Sequence, residues 1–182
     1  TTIQKFGIPL FELDEAAELM TKHGVIPAGL HAHTGSGILE ADNWDAVASS
    51  LLSVAGRFPS VRILDLGGGL GIPEKPGQRP LDMAAVDASL IALREQLGNY
   101  ELWLEPGRYI VAEAGVLVAS VTQTKGKGDV RYVGIATGMN SLIRPSLYGA
   151  YHEIVNLTRF DEAANEIVNI VGAICETGDR LG

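Results

Sequence analysis

Three short runs set chemistry-bearing side chains among small residues: GLHAHTGSG at 29–37, LDLGGGLG at 64–71 and LEPGRYI at 104–110. In the first, His31 and His33 are two apart, so on an extended strand both face the same side. Two ligands do not make a zinc site, and this stretch carries no third at a metal-binding spacing. The small residues suit a different chemistry. Backbone N–H groups and the Ser36 hydroxyl would form a nest for an anion such as phosphate, beside which the His33 imidazole would cover a planar ligand. His31 reads as an ordinary core or hydrogen-bonded histidine. The GGGLG run matches neither the full dinucleotide fingerprint nor a Walker lysine loop, so alone it says only that backbones approach closely at Gly67, Gly68 and Gly69. Asp65 just before it is either a base or a local hydrogen-bond acceptor.

The third run adds an electronic function. A carboxylate at Glu105 would hold a proton on a heteroaromatic nitrogen and make that ring a better electron sink, and the Arg108 fork would grip a carboxylate or phosphate. The alternative is a structural ion pair around the Pro106 turn. Two later runs extend the set. In GMNSLIRPSLYGAYH (138–152), Arg144 and Tyr148 are four apart and share a face if a helical turn forms there, with Pro145 tolerated in its first turn. In VGAICETGD (171–179), Cys175 offers a thiol acid next to the Glu176 carboxylate, against the ordinary expectation of a buried, inert cysteine.

The elements that must carry these residues alternate. Apolar spacing at Leu13, Ala16, Ala17 and Met20 predicts a helix over 11–24 ending at Gly24. A short strand is expected before His33, then a helix over 42–58 capped by Asp42 or Asn43. A strand over 61–66, a helix over 82–98 and a strand from 100 complete the series. Strands separated by helices over such distances predict a parallel α/β arrangement, in which His33, Gly67–Gly69 and Glu105–Arg108 all follow strand ends and share one end of a barrel or open sheet. From Gly115 the texture changes to strand, exposed KGKGD turn and strand, with a further β-branched run near the end. The expected organisation is therefore α/β: residues 1–114 as a partial TIM-like (β/α)8 barrel, and 115–182 as the start of a mainly β domain. The chain reads as a fragment of a longer protein.

Bulk composition narrows the function classes. Twenty-two acidic against fourteen basic side chains give a net charge of −8, which disfavours a nucleic-acid partner. The single cysteine allows no intrachain disulfide and fits a reducing, cytoplasmic location. No apolar run approaches the roughly 20 residues needed to span a bilayer.

Together, KFGI (5–8), GLHAHTGSG, LDLGGGLG, LEPGRYIVAEAG, GMNSLIRPSLYGAYH and VGAICETGD, in this order and spacing, closely resemble the diaminopimelate decarboxylases, fold-type-III enzymes dependent on pyridoxal 5'-phosphate. The pattern is also similar to the decarboxylase part of a fusion with aspartate kinase. The resemblance implies a cofactor-carrying barrel, a β-rich domain that helps form a homodimer with shared active sites, and a small amino-acid substrate, meso-2,6-diaminopimelate, converted to L-lysine and carbon dioxide. It implies that His33 stacks on the cofactor ring and that Ser36 contacts the phosphate. Gly67, Gly68, Gly69, Gly107 and the Arg108 backbone complete the phosphate loop, and Glu105 pairs with the ring nitrogen. Arg108, Arg144 and Tyr148 would bind the distal carboxylate, Glu176 the distal ammonium, and Cys175 would protonate the amino carbon in the neighbouring subunit's site. No metal is implied.

Departures are specific. The family links its cofactor through a lysine on an early barrel strand, and Lys5, Lys22, Lys125 and Lys127 do not stand at that motif. A tyrosine that the family uses lies beyond the CETGD region. The fragment alone is expected to be inactive. Thr137 stands where the family commonly has aspartate, and Thr177 replaces the usual serine. The related ornithine and arginine decarboxylases typically have aspartate after the cysteine, so Glu176 beside Cys175, together with the RPSLY segment, favours a substrate bearing both an ammonium and a carboxylate at its distal end. A racemase would need a two-sided proton-transfer arrangement. Outside catalysis, a phosphate-binding module or dimerisation fragment is the alternative.

Overall fold

The structure, a computed structural model, describes residues 5–182. They divide into two compact units: one extends to Ile72 and resumes over Arg79–Ala114, and the other comprises Pro73–Gln78 and Gly115–Gly182.

In the first unit, a 3-10 turn at Leu10–Glu12 leads into α1 (Leu13–Lys22), followed by β1 (Gly29–His31), α2 (Asn43–Ala55), β2 (Ile63–Asp65), α3 (Met83–Leu97), β3 (Glu101–Trp103) and the single turn α4 (Arg108–Val111). Helix α2 forms because Trp44, Val47, Ala48, Leu51, Val54 and Ala55 recur at three- and four-residue spacing and are all buried. It stops at Ala55, short of the expected end, yet Phe58 still turns into the core. Asp42 precedes α2 without making a side-chain cap. Helix α3 is capped where no cap was expected: the Asp82 carboxylate accepts from the Ala85 N–H at 3.0 Å, a contact typically worth about 1 kcal/mol. Past the end of α1, Gly24 takes a left-handed φ of 67° and donates to the Thr21 carbonyl.

The three strands form a parallel sheet in chain order, with Gly29 opposite Ile63 opposite Glu101 and His31 opposite Asp65 opposite Trp103. Leu64 on the central strand is fully buried and packs in one cluster with Trp44, Leu51, Phe58, Val61 and Val86. Helices covering a parallel sheet are what its lack of a solvent-tolerant face requires.

The second unit holds β4 (Val121–Lys127), β5 (Val130–Ile135), the short helix α5 (Arg144–Tyr148), a 3-10 turn at Leu157–Arg159 and β6 (Asn169–Val171). Strands β4 and β5 pair antiparallel around Gly128, whose φ of 59° permits the tight KGKGD reversal, and β6 joins β5 in parallel. The β4–β5 ladder shifts register between Val121 and Gln123. Residues 115–120, expected to begin the strand, lie outside it. The fold is thus α/β with two separate sheets. Among the described residues no helix is long and apolar enough to cross a membrane.

Candidate active site

The turns leaving β1, β2 and β3 interlock at one edge of the first sheet. Strand pairing carries on past the strand ends: Ala32 donates to Asp65, Leu66 to Trp103, Glu105 to Gly67 and Ile38 to Gly69. The glycines make this approach feasible. A side chain at Gly67, where φ is 70°, would put its Cβ 2.6 Å from the Ala32 carbonyl and 3.0 Å from the His33 Cα. At Gly68 a Cβ would run into the Glu105 carbonyl, and at Gly69, with φ of 90°, into that of Gly35. The main chain of the glycine run is therefore wedged between the HTGSG and EPGR turns, and small residues are required for packing before any ligand is considered.

Their N–H groups are partly committed too. Gly67 donates to the Asp65 carboxylate at 2.9 Å, which makes Asp65 a local acceptor, and Gly68 donates to His33 Nδ1 at 3.2 Å. The second bond pins the His33 ring while leaving its side chain exposed. Ser36 is exposed beside Gly37, and the Arg108 guanidinium reaches this turn, with Nη1 3.8 Å from where a Gly37 Cβ would stand. Gly107 precedes α4 with φ −95° and ψ −82°, an unusual backbone geometry that turns the chain from β3 into that helix. The carboxylate of Glu105 is about half exposed and lies 3.1 Å from His31 Nε2. These two residues and Asp65 offer ligand atoms within 4.8 Å of one another, so His31 converges with carboxylates and not with His33.

This donor set suits pyridoxal phosphate. It combines a carboxylate for a ring nitrogen, a pinned and exposed imidazole for a ring face, a hydroxyl and small-residue turn for a phosphate, and a guanidinium beside that turn for a further anionic group. All of these belong to the first unit.

The remaining candidates fall in the second unit. Arg144 and Tyr148 occupy one turn of helix, with Pro145 in its first turn and Gly149 closing it at φ 62°. Tyr148 is exposed. The Arg144 guanidinium is engaged: Nη2 donates to Glu74 at 2.9 Å, and Nη1 lies 3.2 Å from His152 Nε2. Ser146 on the same helix donates to the Arg180 carbonyl at 3.3 Å, tying α5 to the residues just past CETGD. In that motif Cys175 is a free, exposed thiol, which corrects the expectation of a buried cysteine. The Glu176 side chain accepts from the Gly178 N–H at 3.1 Å.

The motif is organised by Asp179, which the sequence reading left without a role. It is 3% exposed, and its carboxylate accepts from Met139 N–H at 2.6 Å and Ile174 N–H at 2.8 Å. A side chain at Gly138 or Gly172 would collide with it. An acidic residue two places after Thr177, in a turn that follows a β-branched strand, was the available signal. Thr137, the departure in IATGMN, makes a local hydroxyl pair with Ser141 at 2.7 Å. Nothing described in the structure assigns Thr177 a contact.

Comparison with known proteins agrees with this chemistry. Residues 26–182 match the model of the pyridoxal-dependent decarboxylase C-terminal sheet domain. Among curated relatives, the diaminopimelate decarboxylase of Methanothermobacter thermautotrophicus is 35% identical over 97% of this chain and 44% of its own length. That of Archaeoglobus fulgidus is 37% identical, again over 97% of the chain and 44% of the relative. Among solved structures, the diaminopimelate decarboxylase of Helicobacter pylori complexed with L-lysine superposes with a TM-score of 0.79 at 30% identity, covering 98% of this chain and 45% of that one. The chain thus spans less than half the length of the relatives it matches. It belongs to the pyridoxal-dependent decarboxylases.

Proposed function

We propose that this chain is part of an enzyme that removes one carboxylate from meso-2,6-diaminopimelate, giving L-lysine and carbon dioxide, with pyridoxal 5'-phosphate as cofactor. The observation that carries the reading is the convergence, at one end of the sheet, of His33 pinned by Gly68, the Glu105 carboxylate and the Gly37 turn that Arg108 reaches. The relatives named as diaminopimelate decarboxylases support the substrate. Three strands in chain order with intervening helices are read as part of a (β/α)8 barrel, and residues 115–182 as part of the β-rich domain that completes a homodimer.

In this proposal Glu105 keeps a proton on the ring nitrogen and His33 covers one ring face. Ser36, the Gly67–Gly69 run, Gly107 and the Arg108 backbone hold the phosphate. Bound there, the cofactor supplies the sink for the electron pair left on the amino carbon when the carbon–carboxylate bond breaks. Arg144 and Tyr148, together with Arg108, would bind the distal carboxylate and Glu176 the distal ammonium, contacts that would orient the substrate for loss of its other carboxylate. Arg144 must exchange its contact with Glu74 for one with substrate. Cys175 of the partner subunit gives a proton to the amino carbon after carbon dioxide has left. The residues of this chain taken alone are expected not to turn substrate over, because Lys5, Lys22, Lys125 and Lys127 do not stand at the family's cofactor-linking motif.

The test is release of carbon dioxide by the complete enzyme, loaded with cofactor, from meso-diaminopimelate, L-ornithine and L-arginine under identical conditions. Turnover of diaminopimelate at least tenfold above the other two is expected. Preference for ornithine or arginine would overturn the substrate assignment.

A further inference from the structure

Of the three residues that converge at the strand ends, the proposed function gives a task to Glu105 and none to His31 or Asp65. It stands on β1 directly opposite Asp65, which stands opposite Trp103 on β3. Glu105 lies two residues beyond Trp103, and its N–H still pairs with the Gly67 carbonyl. Residues two apart on a strand share a face, so His31, Asp65 and Glu105 project from the same side of the sheet. His31 and Glu105 stand on strands separated by β2, yet their side chains meet at 3.1 Å above Asp65.

Two carboxylates on one face of adjacent strands repel, and an imidazole N–H between them offsets that repulsion. Asp65 is tied to its own strand end by the Gly67 N–H. Glu105 has no such tie: among the described residues its sole side-chain partner is His31. A half-exposed glutamate at the end of a strand otherwise samples several rotamers.

We infer that His31 is a positioning residue for Glu105: it donates from Nε2 to Oε2, fixes the carboxylate rotamer, and leaves Oε1 for the cofactor's ring nitrogen. The inference rests on the proposed function, since it gives Glu105 the ring nitrogen as its target. His31 touches neither cofactor nor substrate in this assignment and acts only through Glu105.

The experiment uses the complete enzyme as wild type and as His31→Phe, His31→Gln, Glu105→Gln and the His31→Phe/Glu105→Gln double variant. Each is checked for folding by circular dichroism. Pyridoxal phosphate affinity is measured by titrating the cofactor-free protein and following the bound chromophore, and kcat and KM are measured with meso-diaminopimelate. His31→Phe keeps a planar ring without the donor, and is expected to weaken cofactor binding about fivefold, the upper end for an exposed ion pair. It should also lower kcat about tenfold or more while KM changes less than twofold, because a misplaced carboxylate matters most in the transition state. The absorbance maximum of the bound cofactor should shift. His31→Gln, which retains an N–H donor, should recover most of the affinity and rate. In the Glu105→Gln background, His31→Phe should change neither by more than about twofold, since coupled residues give non-additive losses.

Equal losses in His31→Phe and His31→Gln, additive losses in the double variant, or a His31→Phe enzyme identical to wild type would each overturn the inference and leave the proposed function standing. Should His31→Phe not fold, the Gln variant decides alone: it must retain wild-type absorbance and lie within about threefold of wild type in affinity, or the inference falls. A wild-type enzyme that binds no pyridoxal phosphate would remove both.

Discussion

Replacing Asp179 with alanine removes the acceptor that joins the CETGD turn to the Gly138–Met139 turn. Two backbone donors, Met139 N–H at 2.6 Å and Ile174 N–H at 2.8 Å, would lose their partner in a place where the carboxylate is only 3% exposed. Each buried donor left unsatisfied costs ~1–3 kcal/mol, so the pair sets a loss of ~2–6 kcal/mol before the vacated volume is counted. Water entering the gap would bring the loss toward the lower figure. With a urea dependence of ~1–3 kcal/mol per molar, even 2 kcal/mol lowers the transition midpoint by about 0.7 M or more. Asp179→Asn is the informative companion. Its one remaining oxygen can accept from one N–H, while its amide faces the other as a second donor, so its loss should be smaller than that of alanine but measurable. Urea unfolding followed by far-ultraviolet circular dichroism, together with exchange rates of the Met139 and Ile174 amides, reads both variants. Midpoints within 0.2 M of wild type and unchanged exchange at those two amides would refute the reasoning, because the carboxylate would then carry no structural weight.

Gly67→Ala should cost at least ~2 kcal/mol, combining a left-handed φ with a Cβ 2.6 Å from the Ala32 carbonyl, whereas Gly77→Ala, at φ 79° with open space around it, should cost about 1 kcal/mol; equal losses in urea unfolding would contradict the close-packing account. Arg144→Met should leave cofactor absorbance intact and weaken diaminopimelate binding ~10- to 150-fold, as expected for a hydrogen bond to a charged group, and unchanged kinetics would remove its substrate role. A complete Cys175→Ala enzyme should bind cofactor yet turn over slowly. Mixing it with a variant lacking the cofactor-linking lysine should restore activity in proportion to heterodimer formation, and full heterodimer formation without activity would end the cross-subunit assignment.

What was legible in the sequence is local. The end of α1 at Gly24, the first-turn Pro145 and the Gly128 reversal each depend on residues within a few positions of one another, and each has a direct sequence signal, whereas the cap expected of Asp42 at α2 does not form. The motif resemblance found the family because it relies on order and spacing, and it found the cofactor class with it. What stayed hidden are pairings across the chain. Arg144 meets Glu74, 70 residues away, and His31 meets Glu105, 74 residues away. Neither acid has a spacing that marks it for its partner. Element ends were also illegible where burial and hydrogen bonding part ways, as at Phe58, which stays in the core after α2 has ended.

The glycine run gives the strand-end loops a mechanical property. Because Gly67, Gly68 and Gly69 touch the neighbouring turns through main-chain atoms, the spacing of the three turns is set largely by backbone contact, with the His33 ring and the Asp65 carboxylate adding side-chain acceptors at Gly68 and Gly67. Exchanging Ser36 or Glu105, whose side chains bond none of these glycines, would therefore rewrite the chemistry of the strand ends on an unchanged frame. A one-residue insertion in the glycine turn would instead shift two neighbours at once. For anyone redesigning this enzyme class, the tolerant variables are the displayed groups, and the loop lengths are the fixed dimensions.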